Sequence, residues 1–375
     1  MFYMKTIYIL ILCVLFVSCK KETETTIYKN LIIKDNITFA TGFSSMVKFR
    51  GVIKENNQEL IYFADPVSAK TIKFFTLNGV LTDSISLKEL SVLGINADQL
   101  IIKSKDSIIA IGFNEMYLLN RKGNILKTIY LKRISNEGDK YTFMYPKINS
   151  FNNNLNEILF FCDWRKNLYK DYNHYYEGAF YKPKVLKITN PLDTVKSVYQ
   201  YGDIFYKNIS DLPKVYFENP TLSIYKDRFY MMSSYSNVLF VYDLATMKKI
   251  RETKIASNFT PIGVVPFTIS NNKPYYTSNE YHKLHLKYGF NRYIFLNNKN
   301  IYLLNYLKYN NGDIDIMKRP FSILKLNHNL ETVGELAFQD LVYRGGSFLV
   351  TEKGILLENN NLSDYEKNTY TLFNF

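Results

Sequence analysis

The chain has 375 residues, 47% of them hydrophobic and 16% aromatic, with a formal net charge of +13. That apolar share is ample for one large core and excludes a disordered protein, and 32 tyrosines and 27 phenylalanines beside abundant isoleucine and valine favour strands over helices. The positive charge does not mark a nucleic-acid binder, because the lysines are scattered without a block of five or six and Asn, Lys, Ile and Tyr, all frequent here, share A/T-rich codons.

The N-terminus reads first. Lys5 precedes a short apolar stretch, Thr6 to Val17, which ends in Ser18-Cys19 and a polar run through Thr26. Such a stretch is too short to cross a hydrocarbon core of about 30 Å and reads as the core of a signal peptide. The small Ser18 directly before Cys19 resembles the bacterial lipobox, with Phe16 where leucine is usual. That resemblance implies lipidation of Cys19, which becomes the mature N-terminus and ties the protein to a membrane. The chain then divides into a signal peptide (1–18), a polar tether (19–26) and a folded domain (27–375). No later stretch is long and apolar enough to span a bilayer.

Within the folded domain a single unit recurs: an alternating apolar strand, a short polar turn and a second alternating strand. The copies are Thr71 to Leu87 (TIKFFTLNGVLTDSISL), Glu115 to Leu131 (EMYLLNRKGNILKTIYL), Lys184 to Tyr199 (KVLKITNPLDTVKSVY), Asn237 to Ile255 (NVLFVYDLATMKKIRETKI) and Phe321 to Phe338 (FSILKLNHNLETVGELAF). Each turn holds Asn, Gly, Asp or Pro, so each copy reads as a hairpin. One or two further strands precede each hairpin, among them Glu59 to Ala64, Ser107 to Phe113, Glu157 to Asp163, Arg228 to Ser233 and Asn300 to Leu307. Helical periodicity is weak, with a turn or two expected at most over Asp203 to Leu212.

Four-stranded units repeating in this way predict an all-β fold, a β-propeller. Five units are complete, and a sixth is assembled from Ser347 to Glu358 and Thr369 to Phe375. A strand within Ile27 to Phe39 then closes the last blade, which removes exposed edges. With the lipobox, these repeats resemble lipid-anchored six-bladed β-propeller proteins of unknown function from Gram-negative bacteria. The resemblance implies a cell-envelope location and carries no catalytic residues.

Two segments are too long for hairpin turns, and long loops on a rigid scaffold are where binding residues concentrate. Trp164 to Lys182, between the second and third strands of its unit, contains the single tryptophan, Tyr172, Tyr175, Tyr176 and His174. Pro274 to Tyr293 carries Tyr281, His282 and His285 and precedes the corresponding second strand of a later unit. The two are expected to form one aromatic rim, the second by wrapping over the edge, with Trp164, Tyr172, Tyr175, Tyr176 and Tyr281 facing a ligand.

Chemistry-bearing motifs are otherwise absent. Cys162 lies in an apolar run and reads as a buried strand residue. His282-x-x-His285 has no third ligand nearby, and Asn310 to Asp315 lacks the glutamate that completes a calcium loop, so no metal is expected. There is no nucleophile elbow, phosphate-binding loop or dinucleotide fingerprint, and no cofactor is expected. The sequence therefore points to a lipid-tethered envelope module that recognises a protein or glycan through loops on one propeller face. The alternative is a polysaccharide hydrolase or lyase using channel carboxylates such as Asp65, Asp163 and Asp243.

Overall fold

The computed structural model describes residues 32–43, 49–66, 70–92, 99–112, 115–130, 148–152, 157–161, 183–189, 194–200, 221–232, 237–246, 248–259, 289–309, 319–339, 341–364 and 366–374, the strands between 148 and 200 in their backbone alone. These residues form an all-β propeller of four-stranded antiparallel blades. The N-terminal strand is β1 (Ile32–Ala40). Blade 1 is β2 (Phe49–Glu55), β3 (Gln58–Asp65), β4 (Thr71–Thr76) and β5 (Leu81–Ser86), and blade 2 is β6 (Gln99–Ser104), β7 (Ser107–Ile111), β8 (Glu115–Leu119) and β9 (Ile125–Tyr130). Blade 3 follows as β10 (Ile148–Asn152), β11 (Glu157–Phe161), β12 (Pro183–Thr189) and β13 (Thr194–Gln200). Blade 4 is β14 (Thr221–Tyr225), β15 (Arg228–Met232), β16 (Val238–Asp243) and β17 (Lys249–Lys254). Blade 5 is β18 (Phe290–Leu296), β19 (Asn300–Tyr306), β20 (Phe321–Asn327) and β21 (Thr332–Phe338).

The last sheet runs β1-β24-β23-β22, with β22 (Tyr343–Thr351), β23 (Gly354–Asn359) and β24 (Lys367–Asn374) from the C-terminal end of the chain. Its outermost strand is β1, antiparallel to β24 with Ile37 opposite Tyr370 and Phe39 opposite Asn368. The two ends of the described chain therefore share one blade. The expectation of six four-stranded blades is met only partially: five blades are described with their side chains, and the β10–β13 sheet in its backbone alone.

All five recurring hairpins fall on the third and fourth strands of their blades. Their turns follow from sequence. Asn78-Gly79 and Lys122-Gly123 place glycine at φ 82° and 79°, and each glycine N–H donates back to the carbonyl of the residue three before it. In the turn between β2 and β3, Asn56 and Asn57 both have positive φ, the backbone that a two-residue hairpin requires.

The expected alternation holds poorly inside the blades. In β7, β15, β19 and β23 every residue after the first is buried. These second strands are sandwiched between neighbouring blades, so both faces meet apolar partners and the sequence becomes a continuous apolar run. Outer strands differ: β5 and β17 are mostly exposed. The core is correspondingly a series of inter-blade seams. One joins Ile53, Tyr62 and Phe74 of blade 1 to Leu100, Ile108 and Tyr117 of blade 2. Others join blade 4 to blade 5, blade 5 to the last blade, and the last blade back to blade 1.

A short helix, α1 (Lys88–Val92), unanticipated from sequence, follows β5 and buries Leu90 in the seam between blades 1 and 2. Asp203 to Leu212 lies outside the described residues. Among the described residues no helix is long and apolar enough to cross a membrane.

Candidate functional site

The two ends of the ring are built differently. In blades 1, 2, 4 and 5 and the last blade, the turns joining the first and second strands gather at one end, where they bond across blades. Lys54 pairs with Glu352 at 2.9 Å and Lys105 with Glu55 at 3.0 Å. The Asn297 amide reaches the Thr351 carbonyl at 3.3 Å, and the Tyr225 hydroxyl reaches Asn298. These four contacts tie blade 1 to the last blade, blade 1 to blade 2, blade 5 to the last blade, and blade 4 to blade 5, so their innermost strands all run toward this end.

Strand alternation then assigns the remaining connections. A chain that leaves a second strand for a third, or a fourth strand for the next blade, does so at the opposite end. Every connection at the laced end or between third and fourth strands is short, none longer than 120–124 or 244–248. All the long ones, 131–147, 162–182, 201–220, 255–289 and 307–320, belong to the opposite set. This asymmetry defines the candidate binding face.

Trp164, Tyr172, Tyr175 and Tyr176 fall in the connection between β11 and β12, and Tyr281 in the connection between β17 and β18. All five lie outside the described residues, as do Cys19, Cys162, His174, His282, His285 and Asn310 to Asp315. Their flanking strands can be placed. With β10 between β6 and β14 in the ring, β11 ends and β18 begins at the same end, so the second segment needs no wrap over an edge to share a face with the first. Its last residues, Phe290 to Tyr293, belong to β18 rather than to a loop.

Of the carboxylates proposed for a channel, the two that are described, Asp65 and Asp243, do not converge. Asp65 ends a second strand, at the end of the long connections, and is fully buried. Asp243 ends a third strand, at the opposite end, where its carboxylate accepts the Thr246 N–H at 2.7 Å and hydroxyl at 2.6 Å and so closes a turn. Asp163 lies outside the described residues.

A polar cluster that sequence reasoning missed occupies the long-connection end of the closing seam. Arg50 Nη1 donates to Ser347 Oγ at 2.6 Å, Glu358 Oε2 at 2.8 Å and the Tyr370 hydroxyl at 2.9 Å. Glu358 also accepts from the Ser347 hydroxyl and from the Asn368 amide at 3.0 Å, and Arg344 Nη1 lies 3.6 Å from the same Oε2. Burial would push the Glu358 carboxyl up, but Arg50, Ser347, Arg344 and Asn368 outweigh it and hold it below the ordinary range. Burial likewise pushes the Tyr370 phenol up to about 12, so it stays protonated. The signal available was local: Phe49-Arg50-Gly51 and Tyr343-Arg344-Gly345 open the innermost strands of the two blades that meet there.

Comparison with known proteins supports the fold. No family model matches the chain, and none of the curated proteins does. Among solved structures, the chain is similar to a member of the DUF4221 family from Bacteroides vulgatus, with 17% identity, a TM-score of 0.71, and 92% of this chain and 98% of that one covered. It is also similar to a candidate exported protein from Bacteroides fragilis, with 12% identity, a TM-score of 0.51, and 92% and 94% covered. At these identities the likeness concerns the propeller arrangement alone.

Proposed function

We propose that this protein is a lipid-tethered cell-envelope module that binds a protein or glycan partner through the long-connection face of a six-bladed ring. The observation that carries this reading is the asymmetry of the ring, with one end laced by short bonded turns and every long connection leaving from the other. The Ser18-Cys19 signal supplies the tether, and the similarity to a candidate exported Bacteroides protein agrees with an extracytoplasmic location. The tyrosine-rich segments 162–182 and 255–289 supply rings suited to stacking on sugars or anchoring a protein surface. The hydrolase or lyase alternative gains nothing from Asp65 and Asp243, which sit at opposite ends of their blades.

A glycan and envelope-peptide binding array with the purified protein tests the reading, with Tyr175→Ala/Tyr176→Ala as the comparison. The double variant should bind at least about tenfold more weakly, the loss expected when an aromatic anchor is removed, with its melting temperature little changed. Equal binding by the variant, or its unfolding, would return these rings to packing. In parallel, Cys19→Ala should leave the membrane fraction or remain an uncut precursor. Unchanged mass and membrane association would remove the tether.

A further inference from the structure

The innermost strands at the closing seam begin alike, and the likeness has a geometric result. Along β2, Phe49 and Ile53 pack into the seam between blades 1 and 2. Along β22, Tyr343 packs into the seam between blade 5 and the last blade. Side chains alternate along a strand, so Arg50 and Arg344, one residue on, turn the other way and meet in the closing seam. The glycines that follow keep the strands close to their neighbours: a Cβ on Gly51 would stand 2.5 Å from the Tyr62 hydroxyl, and one on Gly345 3.1 Å from the Tyr306 ring. An aromatic-Arg-Gly opening used in two adjacent blades thus aims two guanidinium groups at one point.

That point holds one carboxylate. Glu358 is committed to Arg50 at 2.8 Å, while Arg344 stands off at 3.6 Å, beyond hydrogen-bond reach. This is the sole ion pair of Arg344 among the described residues. Its side chain keeps 14% exposure and that of Arg50 15%, against 5% for Glu358. The cluster therefore carries one guanidinium in excess, mostly withdrawn from water yet still partly exposed, at the long-connection end of the seam. Taking a charged fork out of water without an acceptor is costly, and the planar guanidinium fits a two-oxygen acceptor better than any other group.

We propose that Arg344, backed by the Arg50–Glu358 pair, is the recognition point for an oxyanion group, a carboxylate or a phosphate, on a small ligand entering the mouth of the closing seam. The division of labour is explicit. Arg50 is engaged with Ser347, Glu358 and Tyr370 and holds the seam; Arg344 supplies the fork. This site does not depend on the aromatic segments and stands or falls separately from the partner-binding reading.

The test is a thermal-melt titration of the full-length protein in detergent with inorganic phosphate and, separately, glucuronate, at constant ionic strength. A ligand bound by the native state alone raises the melting temperature with saturation. Saturable stabilisation by either probe is expected, and the stronger probe distinguishes phosphate from carboxylate ligands. Arg344→Gln should weaken the half-saturation point at least tenfold. Arg344→Lys, which keeps the charge and loses the fork, should weaken it several-fold. No saturable response in the parent, or an unchanged response in Arg344→Gln, overturns the site. If Arg344→Gln fails to fold, Arg344→Lys decides; failure of both to fold assigns Arg344 to the structural clasp and also overturns the proposal.

Discussion

Between blades 1 and 2 the seam is mainly aliphatic, with Ile53, Leu60, Ile72, Ile85, Leu100, Ile102 and Ile108 in one cluster. At the closing seam the filling is aromatic and polar. Phe39 lies 5.1 Å from Phe63 and 5.7 Å from Tyr370, ring centre to ring centre, and Phe63 lies 5.7 Å from Phe75. Around these rings run hydrogen bonds from Thr38 to Thr369, Thr41 to Asn368 and Thr371 to Asn36, beside the Arg50 cluster. Blades 1 and 2 are consecutive in sequence, so meeting is easy and generic apolar area suffices. The closing seam joins residues more than 300 apart, Arg50 with Glu358 and Tyr370, after the largest loss of chain entropy in the fold. A one-residue slip of β1 on β24 would turn every side chain to the wrong face. Directional bonds penalise that slip, whereas aliphatic packing tolerates it.

The bluntest way to break the comparison is to remove residues 370–375. This deletes most of β24, including the fully buried Tyr370 and Phe373, strips β1 of its partner and opens the ring. Loss of one such ring costs about 3–5 kcal/mol, and a domain of ordinary stability has only about 5–15 kcal/mol in total. The truncated protein should show no cooperative melt by circular dichroism. A melt like the parent's would mean that the ring does not depend on its closure.

A finer contrast sets Arg50→Met against Lys105→Met. Both remove one buried cation from a seam. Removing Arg50 leaves Glu358 buried at 5% side-chain exposure with only the more distant Arg344, 3.6 Å away, so about 3 kcal/mol is expected, the low end for a broken buried pair. Lys105 pairs with Glu55 and Asp83, which keep 23% and 24% exposure and can turn to water, so about 1–2 kcal/mol is expected. Urea denaturation of the two variants measures the difference. Equal losses would mean that the closing seam is no more specified by polar contacts than its neighbour.

Much of the fold was legible because outer hairpins carry both signals that sequence reading uses, Asn-Gly or Asp turns and an exposed face. The second strands were visible as apolar runs. The innermost strands were harder: β6 reads QLIIKS and β10 reads INSFN, short segments with little alternation, each running beside the innermost strands of two other blades. Closure by β1 was legible from simple counting, since the C-terminal unit had too few strands. The Arg50–Glu358 cluster was not. Its members stand at 50, 344, 347, 358, 368 and 370, and nothing in their local spacing shows that the ring brings 50 beside 344. The aromatic-Arg-Gly repeat was the one available clue, and it needs the blade register before it means anything.

The last contrast tests the electrostatics of the clasp through pH. The Glu358 carboxyl is held below the ordinary carboxylate range in the folded protein, so the ionised form is the one that folding favours. Its contribution is fully present above the unfolded value of about 4.3 and is lost as pH falls through the folded value. Glu335 shifts the other way. Burial between blades 4 and 5 pushes it up, and Ser257, Asn258 and Ser322 pull it only partly back. Its contribution is greatest below the unfolded value and is lost as pH rises through the folded one. Glu358→Gln keeps the shape, removes the charge opposite Arg50 and should cost about 1.5–3 kcal/mol at neutral pH, the range for a hydrogen bond to a charged group. The gap between parent and Glu358→Gln melts should narrow as pH drops below about 4.3. The corresponding gap for Glu335→Gln should drift in the opposite direction as pH rises. If the Glu358→Gln gap is the same at pH 3.5 and pH 7, to within about 0.5 kcal/mol, the carboxylate contributes by shape alone and the clasp is not electrostatic.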